Sequence, residues 1–353
     1  MRTSTIEIEN PNKLSKMEKE EIKDAAKLIT EGKLVVFPTE TVYGVGANAL
    51  DPIAVKSIFK AKGRPSDNPI IVHICDKKDL KPLVDKVPEK AQKLIDKFWP
   101  GPITLVMNKS EIIPFETTGE LETVAVRMPN HPVAIELIRA AKVPIAAPSA
   151  NISGKPSTTN ADHAFGDLNG KVDIIIKCGE SEIGVESTVV DMTTNLPQIL
   201  RPGIITKEQI EKVIGKIENH PRLLGKELGI RFRSPGMKYR HYAPESELIL
   251  IKGKKKEVKK RIESLINQHQ KRGRVVGVLV LSDSKYKADI IKCPGKTAPK
   301  IAQNLFKVLR EFDKLKPDII FCESIEKKGI GFAIMDRLER AADHKIIEVK
   351  DEE

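Results

Sequence analysis

Residues 34–44 read LVVFPTETVYG, and this stretch decides the fold of the first half of the chain. Its first four residues form an apolar run flanked by Gly32 and Pro38, which predicts a buried strand. The proline- and glycine-punctuated residues that follow predict a polar turn at the end of that strand. The chain therefore carries a loop with hydroxyl and carboxylate groups directly beside a buried strand.

Three further loops of this kind lie in the first two hundred residues, each beside a short apolar run. They are residues 62–69, 147–151 and 186–188, which read KGRPSDNP, APSAN and EST. With the first loop they supply cationic, hydroxyl and amide groups but no paired carboxylates for acid–base catalysis. This inventory favours a pocket that orients a phosphorylated nucleotide beside a small polar acid.

Hydrophobic spacing around these loops predicts a mixture of helices and strands. Residues 15–18 form a capping box, and Asp51-Pro52 is a second helix start. Helices are predicted from residue 15 to 32, from 51 onward, and at 88–98, 132–141 and 206–215, with strands at 70–74, 103–107, 123–128, 143–147, 172–176 and 187–191. Several strands follow one another without an intervening helix, so we predict an α/β fold with a twisted mixed sheet covered by helices.

The second half of the chain begins after a segment of little periodicity, residues 219–244. Strands are then predicted at 247–251, 274–281 and 318–322, and helices at 255–269, 297–315 and 333–342. This alternation predicts a smaller α/β domain with a mainly parallel, Rossmann-like sheet. We expect a catalytic domain at 1–208, a linker and possible active-site lid at 209–245, and the small domain at 246–353.

Composition places the chain among soluble, cytosolic proteins. No apolar run approaches the roughly 20 residues of a membrane span, and residues 1–10 lack the apolar segment of a secretory signal. The widely separated Cys75, Cys178, Cys293 and Cys322 have neither zinc-ligand nor redox spacing. We expect them to be reduced thiols in the core of a cytoplasmic protein with no membrane partner.

The net charge of +11 permits contact with nucleic acid. The excess concentrates at residues 252–260 and 271–274, where a solvated lysine-rich face is the alternative interpretation. Aromatic residues make up only 4% of the chain, which leaves few stacking platforms for single-stranded RNA. A nucleic-acid-binding module and a nonspecific ATP hydrolase are the two alternatives to an enzyme that holds a nucleotide beside a small polar acid.

The order of the motifs resembles a known family. Residues 39–44, the Lys62-x-Arg64 pair, the Ser149-x-Asn151 pair and residues 186–188 resemble the YrdC-like domain of threonylcarbamoyl-AMP synthases, over residues 15–203. Residues 234–244 and 329–338 resemble the linker and tail of the two-domain branch of that family. The resemblance implies a YrdC-like fold for the first domain.

The resemblance also implies an activity. Members of this family convert L-threonine, bicarbonate and ATP into threonylcarbamoyl-AMP and pyrophosphate, a nucleotidyl transfer. The product serves the threonylcarbamoyladenosine modification of tRNA beside the anticodon. We therefore expect Mg²⁺ to arrive with ATP, without a cage of protein ligands, and a downstream threonylcarbamoyl-transferase machinery as partner. Direct contact with tRNA stays open.

Site residues follow from the same resemblance. Catalysis is assigned to Lys62 and Arg64, because a cation and a forked guanidinium match phosphate oxygens. The threonine ligands are expected to be Thr41, His73, Arg127 and Ser187. The nucleotide ligands are expected to be Arg64, Asn68, Thr123, Ser149, Asn151, Ser157 and Arg201.

Each assignment has a plainer alternative. The loop residues could serve only as turn chemistry, His73 could be a satisfied core histidine, and Arg127 could form an exposed salt bridge. The linker offers four lid candidates, which are Ser234, Tyr239, His241 and Tyr242. A linker that packs against either domain for stability is the alternative to a lid.

Overall fold

The computed structural model describes residues 2–224 and 241–349. These residues divide into two units, one of residues 2–153 and 157–224 and the other of residues 154–156 and 241–349. No helix within these described ranges has the length and apolar character needed to cross a membrane.

The first unit is built on one large sheet. Its strands are β1 (Ser4–Glu7), β2 (Val35–Phe37), β3 (Gly44–Asn48), β4 (Ile71–His73), β5 (Ile103–Asn108), β6 (Thr123–Arg127), β7 (Ile145–Ala146), β8 (Ile174–Lys177), β9 (Thr188–Asp191), β10 (Gln198–Arg201) and β11 (Glu218–Asn219). They are ordered β1-β8-β2-β3-β7-β4-β6-β5-β9-β10-β11. β4 and β6 run parallel, whereas β5 and β6 run antiparallel, so the predicted mixed sheet is confirmed.

Helices cover this sheet. They are α1 (Lys16–Thr30), α2 (Pro52–Lys62), α3 (Glu89–Phe98), α4 (Phe115–Thr118), α5 (Pro132–Ala141), α6 (Ala161–Leu168) and α7 (Lys207–Ile214), with short 3₁₀ helices at Lys77–Leu83 and Pro221–Leu224. The predicted capping box is present, because Ser15 and Glu18 each accept a hydrogen bond from the other's backbone. Asp51 caps α2 through two backbone amides. These local signals explain why the helix starts could be read from the sequence.

Apolar residues alternate between the two faces of the central strands. Val36, Val45 and Val72 pack into one core, and Val35 and Phe37 pack into the other, beneath α1 and α5. Both faces are lined with buried apolar side chains, and each fully buried Val or Phe contributes roughly 1.5–3 kcal/mol. The strand ends therefore form a rigid base for the polar loops.

Four strands of this unit were not predicted, namely β1, β3, β10 and β11. The sequences of β1 and β3 lack the features of a strand. β1 buries only one of its four residues, which leaves no apolar run. β3 contains two glycines, residues that are depleted in strands. A Cβ at Gly46 would lie 2.6 Å from Ile145 and 2.7 Å from the Phe37 ring, so only glycine allows this close approach.

The second unit is a smaller sheet. Its strands are β12 (Glu247–Lys252), β13 (Val276–Leu279), β14 (Ile290–Lys292), β15 (Ile319–Glu323) and β16 (Ile346–Glu348), and its helices are α8 (Lys255–Gln270), α9 (Ala298–Leu315) and α10 (Ile330–Ala341). The strand order is β14-β13-β15-β12-β16, and every described pair is parallel. This result confirms the predicted Rossmann-like sheet.

One buried carboxylate joins two strand ends of the second unit. Glu323 ends β15, and its Oε2 accepts hydrogen bonds from the backbone N–H groups of Leu281 at 2.7 Å and Ser282 at 2.9 Å. Its Oε1 accepts from the Ser282 hydroxyl at 3.0 Å and the Tyr286 hydroxyl at 2.6 Å. Since both oxygens are bonded, this buried charge is compensated within the unit.

The four cysteines are free thiols, but they do not all lie in the core. Cys178 and Cys322 are buried and Cys75 is half-buried, whereas Cys293 is exposed. The prediction of a core thiol is therefore wrong for Cys293. This residue follows β14, an edge strand with half-buried and exposed residues, so the local apolar run did not signal burial.

Candidate functional site

The four polar loops of the first unit lie together. In the loop between β2 and β3, the backbone N–H of Tyr43 donates to the Thr158 carbonyl, and its carbonyl accepts from Ala150, both at 2.8 Å. In the same loop, the backbone carbonyl of Glu40 accepts a hydrogen bond from the N–H of Ile183 at 2.9 Å. Segments more than a hundred residues apart in sequence thus meet at one place.

Lys62 ties the end of α2 to one of these loops. Its side chain is 2% exposed, and its ammonium group donates to the backbone carbonyls of Ser149 and Asn151. The Ser149 hydroxyl donates in turn to the Asn151 side-chain oxygen at 2.5 Å. Gly63, with a φ of 61°, ends the helix in the left-handed conformation and turns the chain away. The cation is therefore fixed beside two of the predicted nucleotide ligands.

Arg64 and Asn68 lie at the two ends of the next turn. The Arg64 guanidinium donates to the carbonyls of Asn68 at 3.3 Å and Pro69 at 3.1 Å. The Nδ2 of Asn68 and the Oγ1 of Thr123 are buried and find no hydrogen-bond partner among the residues that the structure describes. Buried polar groups in this state are available to a ligand that brings the missing partners.

Arg127 is the buried cation at the end of β6. Its Nη1 donates to the Thr41 hydroxyl at 2.8 Å and its Nε donates to the Gly101 carbonyl at 3.3 Å. Its Nη2 lies 2.7 Å from Oε1 of Glu40, and both of these side chains are 4% exposed. The alternative of an exposed salt bridge is therefore wrong, because burial makes this pair part of the interior.

His73 lies opposite Arg127 in the register of β4 and β6. Its ring packs edge-on against Phe37, with centroids 6.3 Å apart. No described residue bonds its buried Nδ1, so His73 is not the fully satisfied core histidine of the alternative interpretation. Burial, and next the charge of Arg127, lower the pKa of His73 to about 3. The imidazole is thus neutral near pH 7.

Acid is expected to destabilise the fold through His73. Between about pH 6.5 and 3 the unfolded chain binds a proton at His73 that the folded chain excludes, so stability falls as the pH falls. The loss approaches roughly 1.4 kcal/mol per pH unit below about 6.5. Urea unfolding at pH 7.5 and 5.5 should therefore show a smaller acid loss in His73→Gln than in the unaltered protein, by about 1.4 kcal/mol. An equal loss in both proteins would contradict this explanation.

Ser187 and Arg201 form a third cluster with a strand residue. The Ser187 and Thr104 hydroxyls are 2.7 Å apart, and Arg201 donates to the Ser187 hydroxyl and carbonyl, both at 3.1 Å. Glu186, which directly precedes Ser187, accepts a hydrogen bond from the Ser157 hydroxyl at 2.6 Å. A predicted threonine ligand and two predicted nucleotide ligands are therefore neighbours along one strand end.

The lid candidates are placed differently from the other residues. Ser234 and Tyr239 lie outside the described residues. His241 and Tyr242 belong to the second unit, where Tyr242 stacks on Phe306 with ring centroids 5.1 Å apart. The assignment of these four residues to a lid stays a prediction.

Sequence reasoning passed over three side chains that complete these clusters: Glu40, Thr104 and Glu186. Glu40 and Glu186 stand in the quoted loops, but the resemblance assigns no role to their carboxylates. Thr104 is fully buried in the apolar strand β5. Its signal would have been a hydroxyl residue within an otherwise apolar run.

The described ranges contain no group of three or more His, Cys, Asp or Glu side chains that could hold a metal ion. The polar groups of the clusters are hydroxyls, amides and cations, together with the carboxylates of Glu40 and Glu186.

A mixed sheet whose loops join into one buried cluster of hydroxyl, amide and cationic groups defines an α/β protein with a loop-built anion site. Residues 27–203 match the family model described as "Telomere recombination". Residues 205–343 match the model described as "Threonylcarbamoyl-AMP synthase, C-terminal domain". The chain belongs to the threonylcarbamoyl-AMP synthases, a family of enzymes, as the resemblance of the motifs indicated.

Relatives match along almost the whole chain. A threonylcarbamoyl-AMP synthase of Pyrococcus abyssi is 52% identical over 96% of this chain and 98% of its own length. One of Bacillus subtilis is 48% identical over 93% of this chain and 94% of its own length. A crystal structure of the P. abyssi Sua5 protein complexed with L-threonine covers 99% of this chain and 100% of its own, with a TM-score of 0.93 and 50% identity.

The boundary between the domains is drawn differently by structure and family. Helix α7 and strand β11 belong to the first structural unit, which extends at least to residue 224. The model of the C-terminal family domain begins at residue 205. The boundary at residue 208 and the linker at 209–245 therefore stay proposals.

Proposed function

We propose that this protein is an L-threonylcarbamoyladenylate synthase. It forms threonylcarbamoyl-AMP and pyrophosphate from L-threonine, bicarbonate and ATP. The observation that carries the proposal is the junction of the loops, which brings buried Arg127 and Thr41 into one site region with Lys62 and Ser149. The near full-length similarity to a relative solved with L-threonine supports the amino-acid substrate.

The threonine end of the site is proposed to include Arg127, Thr41, His73 and Ser187. A carboxylate entering a dry site needs a charged partner, which the buried guanidinium of Arg127 supplies. Thr41 and Ser187 are fully buried hydroxyls that can pair with a substrate hydroxyl. Valine offers these hydroxyls no partner, and a site that hydrogen-bonds a substrate hydroxyl discriminates against an analogue that lacks one.

The nucleotide end is proposed to include Lys62 and Arg64 as catalytic cations. Asn68, Thr123, Ser149, Asn151, Ser157 and Arg201 are proposed to hold the remainder of ATP. Asn68 and Thr123 support this role because the buried Nδ2 of Asn68 and Oγ1 of Thr123 have no hydrogen-bond partner among the described residues. Cations near the phosphates stabilise the charge that develops as pyrophosphate leaves.

The chemistry proposed for this site has two steps. The threonine ammonium and bicarbonate give the carbamate, with release of water and one proton. A carbamate oxygen then bonds to the α-phosphorus of ATP while the bond from that phosphorus to the β-bridging oxygen breaks, which releases pyrophosphate. Positioning and charge compensation dominate such transfers, so the site needs no protein nucleophile.

Magnesium is proposed to enter with ATP. The donor set of the described loops lacks clustered carboxylates, so phosphate oxygens would hold the ion and Lys62 and Arg64 would lie beside the complex. When bound, the ion supplies further charge neutralisation at the phosphates.

The biological setting is part of the same proposal. The product would serve threonylcarbamoyladenosine formation in tRNA, through a downstream transferase machinery in the cytoplasm. Several basic side chains of α8 already have acidic neighbours, such as Lys259 with Glu263 at 3.8 Å and Lys260 with Glu257 at 3.5 Å. These pairs favour a solvated face for α8 over a dedicated RNA surface.

One assay tests the function against its competitors. Pyrophosphate release should require both L-threonine and bicarbonate, and the nucleotide product should be threonylcarbamoyl-AMP by mass spectrometry. ATP consumption without L-threonine would support a hydrolase instead. Salt-sensitive tRNA binding without turnover would support a nucleic-acid-binding module.

A further inference from the structure

Glu40 is a buried carboxylate in the middle of the site region. It lies in the loop between β2 and β3, immediately before Thr41, and is 3% exposed. Its backbone carbonyl is bonded to Ile183, so the loop that carries it is anchored. The proposed reaction, as set out above, gives this side chain no role.

The Glu40 carboxylate is paired but not satisfied. Nη2 of Arg127 lies 2.7 Å from its Oε1, yet this contact does not have hydrogen-bond geometry. Both oxygens are buried, and within residues 2–224 and 241–349 no group donates a hydrogen bond to either of them. A carboxylate can accept about four hydrogen bonds, and leaving a buried one without any is costly. The arrangement indicates that donors come from a ligand.

The charges of the site match a zwitterion. Arg127 and Glu40 together are a buried cation and a buried anion, held 2.7 Å apart. A pocket for a carboxylate alone would require only Arg127, and burying Glu40 beside it would weaken the attraction. An α-amino acid carries one carboxylate and one ammonium, and the ammonium presents three N–H donors.

We propose that Glu40 binds the α-ammonium group of the amino-acid substrate, while Arg127 binds its carboxylate. This inference rests on the proposed function, since it places L-threonine in the same site. On binding, the substrate carboxylate displaces Glu40 from Nη2 of Arg127, and the freed Glu40 oxygens accept the ammonium N–H groups. Glu40 thus selects an amino acid over a hydroxy acid and aims the nitrogen that later joins bicarbonate.

The alternative is that Glu40 only holds Arg127 in place. In that case removal of its charge would disturb Arg127 and weaken every ligand that carries a carboxylate. The two roles therefore differ in their effect on a ligand without an amino group. (R)-3-Hydroxybutanoate is such a ligand, because it keeps the carboxylate and hydroxyl of L-threonine and lacks only the ammonium.

The test is isothermal titration calorimetry of both ligands with the full-length protein and with Glu40→Gln. In the unaltered protein L-threonine should bind at least about tenfold more tightly than (R)-3-hydroxybutanoate. In Glu40→Gln the affinity for L-threonine should fall by roughly 10- to 100-fold, the range expected for loss of a charged hydrogen-bond partner. The affinity for (R)-3-hydroxybutanoate should be unchanged or higher, because Arg127 is no longer shared.

Glu116→Gln is the matched control, since it removes a carboxylate that pairs with Lys56 at 3.0 Å on the surface of the same unit. Its affinities for both ligands should equal those of the unaltered protein.

Three results would overturn the inference. The first is a Glu40→Gln affinity for L-threonine within threefold of the unaltered protein, and the second is an equal loss for both ligands. The third needs no variant, and it is equal binding of both ligands by the unaltered protein. Failure of the unaltered protein to bind L-threonine at all would instead contradict the proposed function on which the inference rests.

Discussion

Replacing Arg127 by methionine is expected to abolish measurable L-threonine binding and to lower the free energy of unfolding by about 3–5 kcal/mol. The substitution keeps most of the side-chain volume but removes the only charge that lies against Glu40 in an ion pair within the described residues. Glu40 would then be a buried carboxylate without a compensating cation. The Thr41 hydroxyl and the Gly101 carbonyl would each lose a donor as well.

A double variant separates the two losses caused by Arg127→Met. Adding Glu40→Gln removes the stranded charge, so the double variant should recover most of the stability measured by urea unfolding. It should still fail to bind L-threonine in calorimetry, because no cation faces the substrate carboxylate. Arg139→Met is the matched control. Arg139 pairs with Glu136 at 3.0 Å on the surface, and such pairs contribute at most about 1 kcal/mol. Unchanged stability and threonine affinity in Arg127→Met would refute both the pairing and the binding role.

Replacing Lys62 by methionine is expected to slow pyrophosphate release by roughly 100- to 1,000-fold. Methionine fills much of the same buried space without an ammonium group. Two consequences follow, since the phosphates lose a nearby cation and the Ser149 and Asn151 carbonyls lose their shared donor. The loop that carries two proposed nucleotide ligands would then be less firmly placed.

Steady-state kinetics with saturating L-threonine and bicarbonate measures this effect. A fall in kcat, with less change in KM for ATP, would indicate that Lys62 stabilises the leaving charge. A rise in KM for ATP alone would indicate a positioning role through the loop. Lys60→Met is the control, because Lys60 is exposed on the same helix and should retain full activity. Full activity in Lys62→Met would contradict the proposed phosphate site.

The sequence predicted those parts of the fold that local chemistry dictates. The capping box at Ser15 and the Asp51 cap mark helix starts with interactions that lie within a few residues. β3 was missed because Gly46 is required by the close approach of Ile145, on a neighbouring strand about a hundred residues away. The sequence contains no local trace of such a close approach.

The candidate site shows the same division. Hydroxyl and cationic residues such as Thr41 and Arg127 stood out by their type and by their resemblance to a family. Glu40 did not, because its role depends on its ion pair with Arg127, which ends β6. The position of Arg127 is in turn set by the register that places it opposite His73. Electrostatic partners across a sheet arise only from tertiary structure.

The carboxylate of Glu323 also bears on the proposed location of the nucleotide site. β13 and β15 are neighbours, and the chain continues from β13 to β14 on one side and from β15 to β16 on the other. Open parallel sheets bind their ligands at such a topological switch point. In this chain the backbone N–H groups of Leu281 and Ser282, which could donate to a phosphate at this point, already donate to the Glu323 carboxylate. The divergence point of this Rossmann-like sheet is thus occupied by a carboxylate of the chain itself, which supports the proposed placement of ATP at the loops of the larger sheet.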